Sequence, residues 1–194
     1  MAILYTTGRV GLTVAAQYPS LIRRLSLTGV PYLRPPSGIA ILDEWRQLLS
    51  LPDHRRCGES LIRHGYSPDF LSKIEPKMDT YIDMILASNN MTNVYHLIAL
   101  SHPTQVPHNY DQYDVYSIQS CIQHIQCNTQ VIAATYDTIA GYQPVKDLYT
   151  QLQLHSNPHS NLQHEFIEMN NGHLAPFEDP GRWRKCVLDF CNTI

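Results

Sequence analysis

The sequence predicts an α/β protein, with a parallel sheet flanked by helices and interrupted by a helical insertion. Short apolar runs of strand character alternate with helix-spaced segments at both ends of the chain. From Ile39 to about Leu100 only helical patterns occur. Hydrophobic residues make up 43% of the 194 positions and charged residues 16%, a balance that supports a packed core and excludes disorder.

The elements follow in order. "AILY" is a short apolar strand. "TTGRVGLTVAAQYP" has helical spacing, with Val10, Val14 and Ala15 joined by Leu12 and Ala16, and it stops at Tyr18-Pro19. "IRRLSLTGV" alternates and reads as a strand; "PYLRPPSG" is a loop. "IAILDEWRQLLSL" is an amphipathic helix, and "DHRR" at 53–56 is a solvated charge cluster. "SPDFLSKIEPKMDTYIDMILAS" starts at Ser67-Pro68 and repeats apolar residues from Phe70 to Ile85, with a kink expected at Pro76. "MTNVYHLIAL" is a further short helix and "SHPTQVPHNYDQYD" a connector. "YDVYSIQSCIQHI" is helical, "TQVIAATYD" a buried parallel strand, "YQPVKDLYTQLQL" a helix, "HEFIEM" a strand and "GRWRKCVLDFCNTI" a closing helix. Three blocks result: a core segment at 1–38, a helical cap at 39–110 and a second core segment at 111–194.

Composition narrows the function. A net charge of −3 provides no basic field for nucleic acid or anionic membrane. No apolar run approaches the ~18 residues of a membrane span. Five cysteines without CxxC spacing read as reduced thiols and imply an intracellular protein, and Cys186 and Cys191 read as small apolar packing groups. Residues 1–42 carry Arg9, Arg23, Arg24 and Arg34 but no Asp or Glu, a transit-peptide composition. The same stretch reads as folded helix and strand, so a cytoplasmic rather than mitochondrial setting is expected. Ten histidines include no HExxH and no Cys/His set, so no metal is expected. No GxGxxG and no P-loop occurs, so no cofactor is expected. The insertion helices, rich in Leu, Ile, Met and Tyr, suit an acyl or lipid-like ligand and equally suit a core of their own.

Functional groups in open α/β sheets gather where strands end. Asp137 follows "VIAAT" and His173 follows "HEFIEMNNG". A carboxylate beside an imidazole fixes its tautomer and stabilises its protonated form. Alternatively, Asp137 caps the following turn and His173 is a plain loop histidine.

"NNGHLAPFEDPGRWRKCVLDF" resembles the end of α/β-hydrolase-fold proteins of the lipase, esterase and epoxide-hydrolase group, which finish with Gly-His, an apolar pair, Glu-x-Pro and an amphipathic helix. "IQCNTQVIAATYDTI" resembles their penultimate strand, and "GRVGLTVAAQYPSLIRRLSLTGVP" the helix after their nucleophile elbow and the next strand. The likeness covers the C-terminal part of that fold and implies a truncated α/β-hydrolase sheet. It also implies Asp137 as acid and His173 as base, in the order Ser…Asp…His. Family chains carry Gly-x-Ser-x-Gly-Gly at the elbow; here the serine position falls on Tyr5, flanked by Ile3 and Thr7. A one-residue shift puts Thr6 there, between Leu4 and Gly8. Bulky neighbours crowd such a turn, and a tyrosine hydroxyl with a pKa of about 10 is a poor substitute for serine.

Family members also place strands and one oxyanion-hole amide before the elbow. "AILY" is then expected to expose one edge, a pairing hazard unless a protein partner or a second copy covers it. Two functions remain: a degenerate, non-catalytic binding or assembly module, or a serine-hydrolase-type enzyme on ester or acyl substrates, whole or as the C-terminal fragment of one.

Overall fold

Among the described residues four parallel strands form one sheet in the order β1 (Ala2–Leu4), β2 (Arg24–Thr28), β3 (Asn128–Ala134), β4 (His164–Met169). The computed structural model describes residues 2–4, 7–101, 117–156 and 162–192. Parallel pairing demands crossovers, and helices supply them. β1 leads into α1 (Thr7–Gln17), and β3 reaches β4 through α8 (Tyr142–His155).

Strand alternation sorts side chains onto two faces. Leu25, Leu27, Val131 and Ala133 pack with α1, α8 and the short α7 (Ile118–Ile122), where Leu12, Ala15, Ile122, Val145 and Leu148 are buried. The acid-poor segment near the start therefore folds into the core. On the other face Ile132, Ala134 and Met169 meet α9 (Ala175–Glu178) and α10 (Pro180–Asn192) through Ala175, Trp183 and Val187. This face is partly polar. Gln130, fully buried, accepts a hydrogen bond from Ser26 on β2 at 2.8 Å and donates to Glu165 on β4 and to the Cys186 carbonyl on α10. The Trp183 indole donates to Thr28 Oγ1 at 3.0 Å.

The helical insertion begins at Pro36 and comprises α2 (Pro36–Leu49), α3 (Arg55–Gly65), α4 (Pro68–Ile74), α5 (Met78–Ser88) and α6 (Met91–Ser101). Two apolar clusters hold it, one of α2, α3 and α6 around Trp45 and Cys57, the other of α3, α4 and α5 around Ile62 and Ile82. Ser67 caps α4 as expected, accepting from Phe70 N, with Pro68 in the first turn. Pro76 does more than kink a single helix: a 3-10 turn at Glu75–Lys77 separates α4 from α5. Asn90 caps α6 by accepting from the Thr92 and Asn93 amides.

"DHRR" is a solvent-exposed charge cluster as expected, and it also starts α3: Asp53 accepts from the Arg55 amide, and Arg55 bridges to the exposed Asp79 and Asp83 on α5. One expectation is corrected. Cys191 is exposed rather than packed, while Cys186 is half-buried. From residue 102 onward the connector "SHPTQVPHNYDQYD" lies outside the described residues. No helix among the described residues is long and apolar enough to cross a membrane.

Candidate active site

Asp137 and His173 sit on the loops that follow β3 and β4, at the same end of the sheet. The ladder between these strands continues past their ends: Thr135 N donates to Met169 O at 2.9 Å and Tyr136 N to Asn171 O at 3.0 Å. The two loops are thereby fixed to each other. Asp137 Oδ2 lies 2.8 Å from His173 Nδ1, with the Asp137 side chain fully buried and His173 12% exposed. Asp137 Oδ1 accepts from the Ile139 and Ala140 amides at 2.9 and 2.8 Å. Asp137 thus contacts His173 through one oxygen and caps the following turn through the other. A carboxylate that already accepts two amide bonds acts as acceptor toward the ring, so Nδ1 carries the proton and Nε2 is the basic nitrogen.

A second carboxylate has no sequence-derived role. Glu178, from the Glu-x-Pro ending, accepts from Ser67 N at 2.9 Å, Ser67 Oγ at 2.6 Å, Gly172 N at 2.6 Å and Asn171 Nδ2 at 3.4 Å. It ties the histidine loop to the α3–α4 junction of the insertion. The glycine of the Gly-His pair has its reason here. A Cβ on Gly172 would lie 2.5–2.7 Å from backbone atoms of residues 65–67, so only glycine admits this approach. Leu174 N donates to Gly65 O at 2.8 Å, and Thr138 Oγ1 to His64 O at 3.3 Å. Both loops are thus bound to the insertion.

Beneath the insertion lies a cavity of about 320 Å³. His173 lines it, with apolar walls from Leu42, Trp45, Leu61 and Ile98 and two guanidinium groups, Arg9 and Arg34. Burial and the like charge of Arg9 push the Arg34 pKa down, and Asp137 partly opposes this. Sequence reading noted Arg9 and Arg34 only as part of an acid-poor segment.

The nucleophile candidates, Tyr5 and Thr6, lie outside the described residues. In the sequence they fall between β1, which ends at Leu4, and α1, which starts at Thr7. Gly8 has a packing reason independent of register: a Cβ there would fall 2.2 Å from Val30 Cγ2. A different hydroxyl–imidazole contact occurs at the opposite end of the sheet, Ser156 Oγ to His164 Nε2 at 2.7 Å. Among the described residues no carboxylate orients that ring; burial lowers its pKa, and a backbone contact with Thr129 partly opposes this. It lacks the third member a triad requires. No group of three His, Cys, Asp or Glu among the described residues is arranged to hold a metal.

No family model and no curated protein matches the sequence. Solved structures do match. MGS-M2, an alpha/beta hydrolase enzyme from a Medee basin deep-sea metagenome library, aligns with a TM-score of 0.75 at 19% identity, over 100% of this chain and 64% of that one. The enol-lactonase from Burkholderia xenovorans LB400 gives 0.72 at 14% identity, over 99% and 65%. A thermophilic esterase from Thermogutta terrifontis gives 0.64 at 16% identity, over 98% and 63%. The chain has the α/β-hydrolase fold and spans just under two-thirds of the length of these neighbours.

Proposed function

We propose that the chain is a non-catalytic α/β-hydrolase-fold module that binds an acyl or lipid-like small molecule under its helical insertion, which acts as a cap. The observation that carries this reading is the β1–α1 connection. It offers Tyr5 and Thr6, with neither serine nor cysteine, while the Asp137–His173 pair and an apolar cavity remain. A part-buried imidazole provides a polar contact inside an apolar pocket.

The purified chain is expected to hydrolyse p-nitrophenyl butyrate no faster than its His173→Ala variant. Loss of a triad nucleophile lowers turnover by roughly a millionfold in the enzymes where it has been measured. Hydrolysis that disappears in both His173→Ala and Asp137→Asn would establish the enzyme instead. That second reading is favoured by the 2.8 Å carboxylate–imidazole contact.

Assembly belongs to the same proposal. β1 pairs with β2 on one side, and no described strand covers its other edge. A protein partner or second copy pairing along β1, in an intracellular setting, fits that edge. Sedimentation velocity of the purified chain is expected to show a dimer; a monomer at all concentrations would remove self-pairing.

A further inference from the structure

Among the described residues, the titratable groups lining the cavity are two arginines and one histidine, with no aspartate or glutamate. Arg34 leaves the loop after β2, and its stem passes over Gly38 at the start of α2. Its Nε is buried and has no hydrogen-bond partner among the described residues. A half-buried guanidinium whose buried Nε–H lacks an acceptor is costly, and folded proteins tend to pair such groups. The carboxylate whose charge acts on Arg34, Asp137, has its oxygens committed to two amides and to His173. Arg9, itself exposed, contributes a like charge beside Arg34. Among the described residues, the two guanidinium charges less the one carboxylate of Asp137 leave a single positive charge at the polar end of the cavity. The remaining wall is apolar: Leu42, Trp45, Leu61 and Ile98 face the same space.

We infer that this cavity binds an amphiphilic monocarboxylate, its anion held by Arg34 with Arg9 beside it and its apolar body laid against Trp45, Leu42 and Ile98. The inference rests on the binding-module reading and narrows its ligand from acyl-like molecules in general to those carrying one free acid. A guanidinium meets a carboxylate through two parallel N–H···O bonds, which suits Arg34 better than a neutral ester or alcohol does. A single net positive charge matches a monoanion. A phosphate monoester, near −2 at neutral pH, would remain undercompensated. The cavity volume lies at the lower end of the range for small-molecule sites, enough for a medium-length chain or an aryl ring.

Isothermal calorimetry on the full chain with decanoate, decanol and decyl phosphate tests this. Decanoate is expected to bind at least about tenfold more tightly than decanol, the range of a charge-assisted hydrogen bond. Arg34→Met, which keeps the stem over Gly38, is expected to bring that ratio close to one with decanol affinity retained, and Arg34→Lys to keep part of it. Thermal unfolding of each variant confirms a folded protein. Should Arg34→Met fail to fold, Arg9→Gln at the exposed position is expected to lower decanoate affinity severalfold alone. Equal binding of decanoate and decanol, a preference that survives Arg34→Met, binding of decyl phosphate as tight as decanoate, or no binding of decanoate overturns the inference. Ester turnover by the chain would instead overturn the non-catalytic reading, and the decanoate preference would then report product affinity.

Discussion

Glu178→Ala is expected to lower the unfolding free energy by about 3 kcal/mol, because a half-buried carboxylate with several donors is removed while its donors stay behind. The donors are the Ser67 amide and hydroxyl, the Gly172 amide and the Asn171 side chain. Ser67 is 2% exposed, so water reaches its amide only if α4 lifts from the histidine loop. The Ser67 hydroxyl also accepts from Phe70 N, so the cap of α4 is disturbed together with its anchor. Glu178→Gln, which keeps one acceptor oxygen and adds an N–H₂ facing other donors, is expected to fall between wild type and the alanine variant. Urea unfolding monitored by tryptophan fluorescence reads the midpoint, and an unchanged m-value assigns the loss to stability. A loss below about 0.5 kcal/mol in the alanine variant would show that packing alone holds the junction.

The second large effect is expected at Gly38. A Cβ there would lie 2.0 Å from the Ile139 carbonyl oxygen, a backbone atom that cannot rotate away. Ile139 belongs to the loop that presents Asp137, and the turn ends at Gly141, whose φ of 78° is available to glycine at little cost. Gly38→Ala therefore forces α2 and the Asp137 loop apart. The expected loss is about 3 kcal/mol, the upper end for overpacking, despite the better helix propensity of alanine. Gly58→Ala in α3 is the control. Its Cβ would meet the Ile82 Cγ2 at 3.1 Å, a side-chain atom with room to give, so the change is expected to stay within about 1 kcal/mol of wild type. Equal losses at the two glycines would show that the Ile139 contact is not what separates them.

Legibility in the sequence followed periodicity. β2 and β3 were readable because their residues alternate between two filled faces, and α4 and α5 because a serine–proline start precedes a regular apolar stripe. α3 was missed because its buried side includes Cys57, Gly58, Ser60 and Gly65, small or polar residues that make no apolar stripe. Ser60 is buried only because Trp45 donates to it and Glu44 accepts from it, both from a different helix. Asp137 and His173 were legible from their positions after strands and from resemblance. Glu178 was visible as part of a motif but not as an anchor, since its partner Ser67 stands 111 residues away. Arg34 gave no local signal at all: its importance comes from a cavity assembled by segments far apart in the chain.

The buried amide of Gln130 has a consequence for how the sheet finds its alignment. In the native pairing its three partners stand on β2, β4 and α10. A slip of β3 by one residue would turn that amide toward the side packed with Leu12, Val145 and Leu148, where no partner awaits it. Odd offsets of β3 thus move a donor and an acceptor away from their partners and against hydrocarbon, a penalty that adds to the loss of hydrophobic burial in selecting the native alignment.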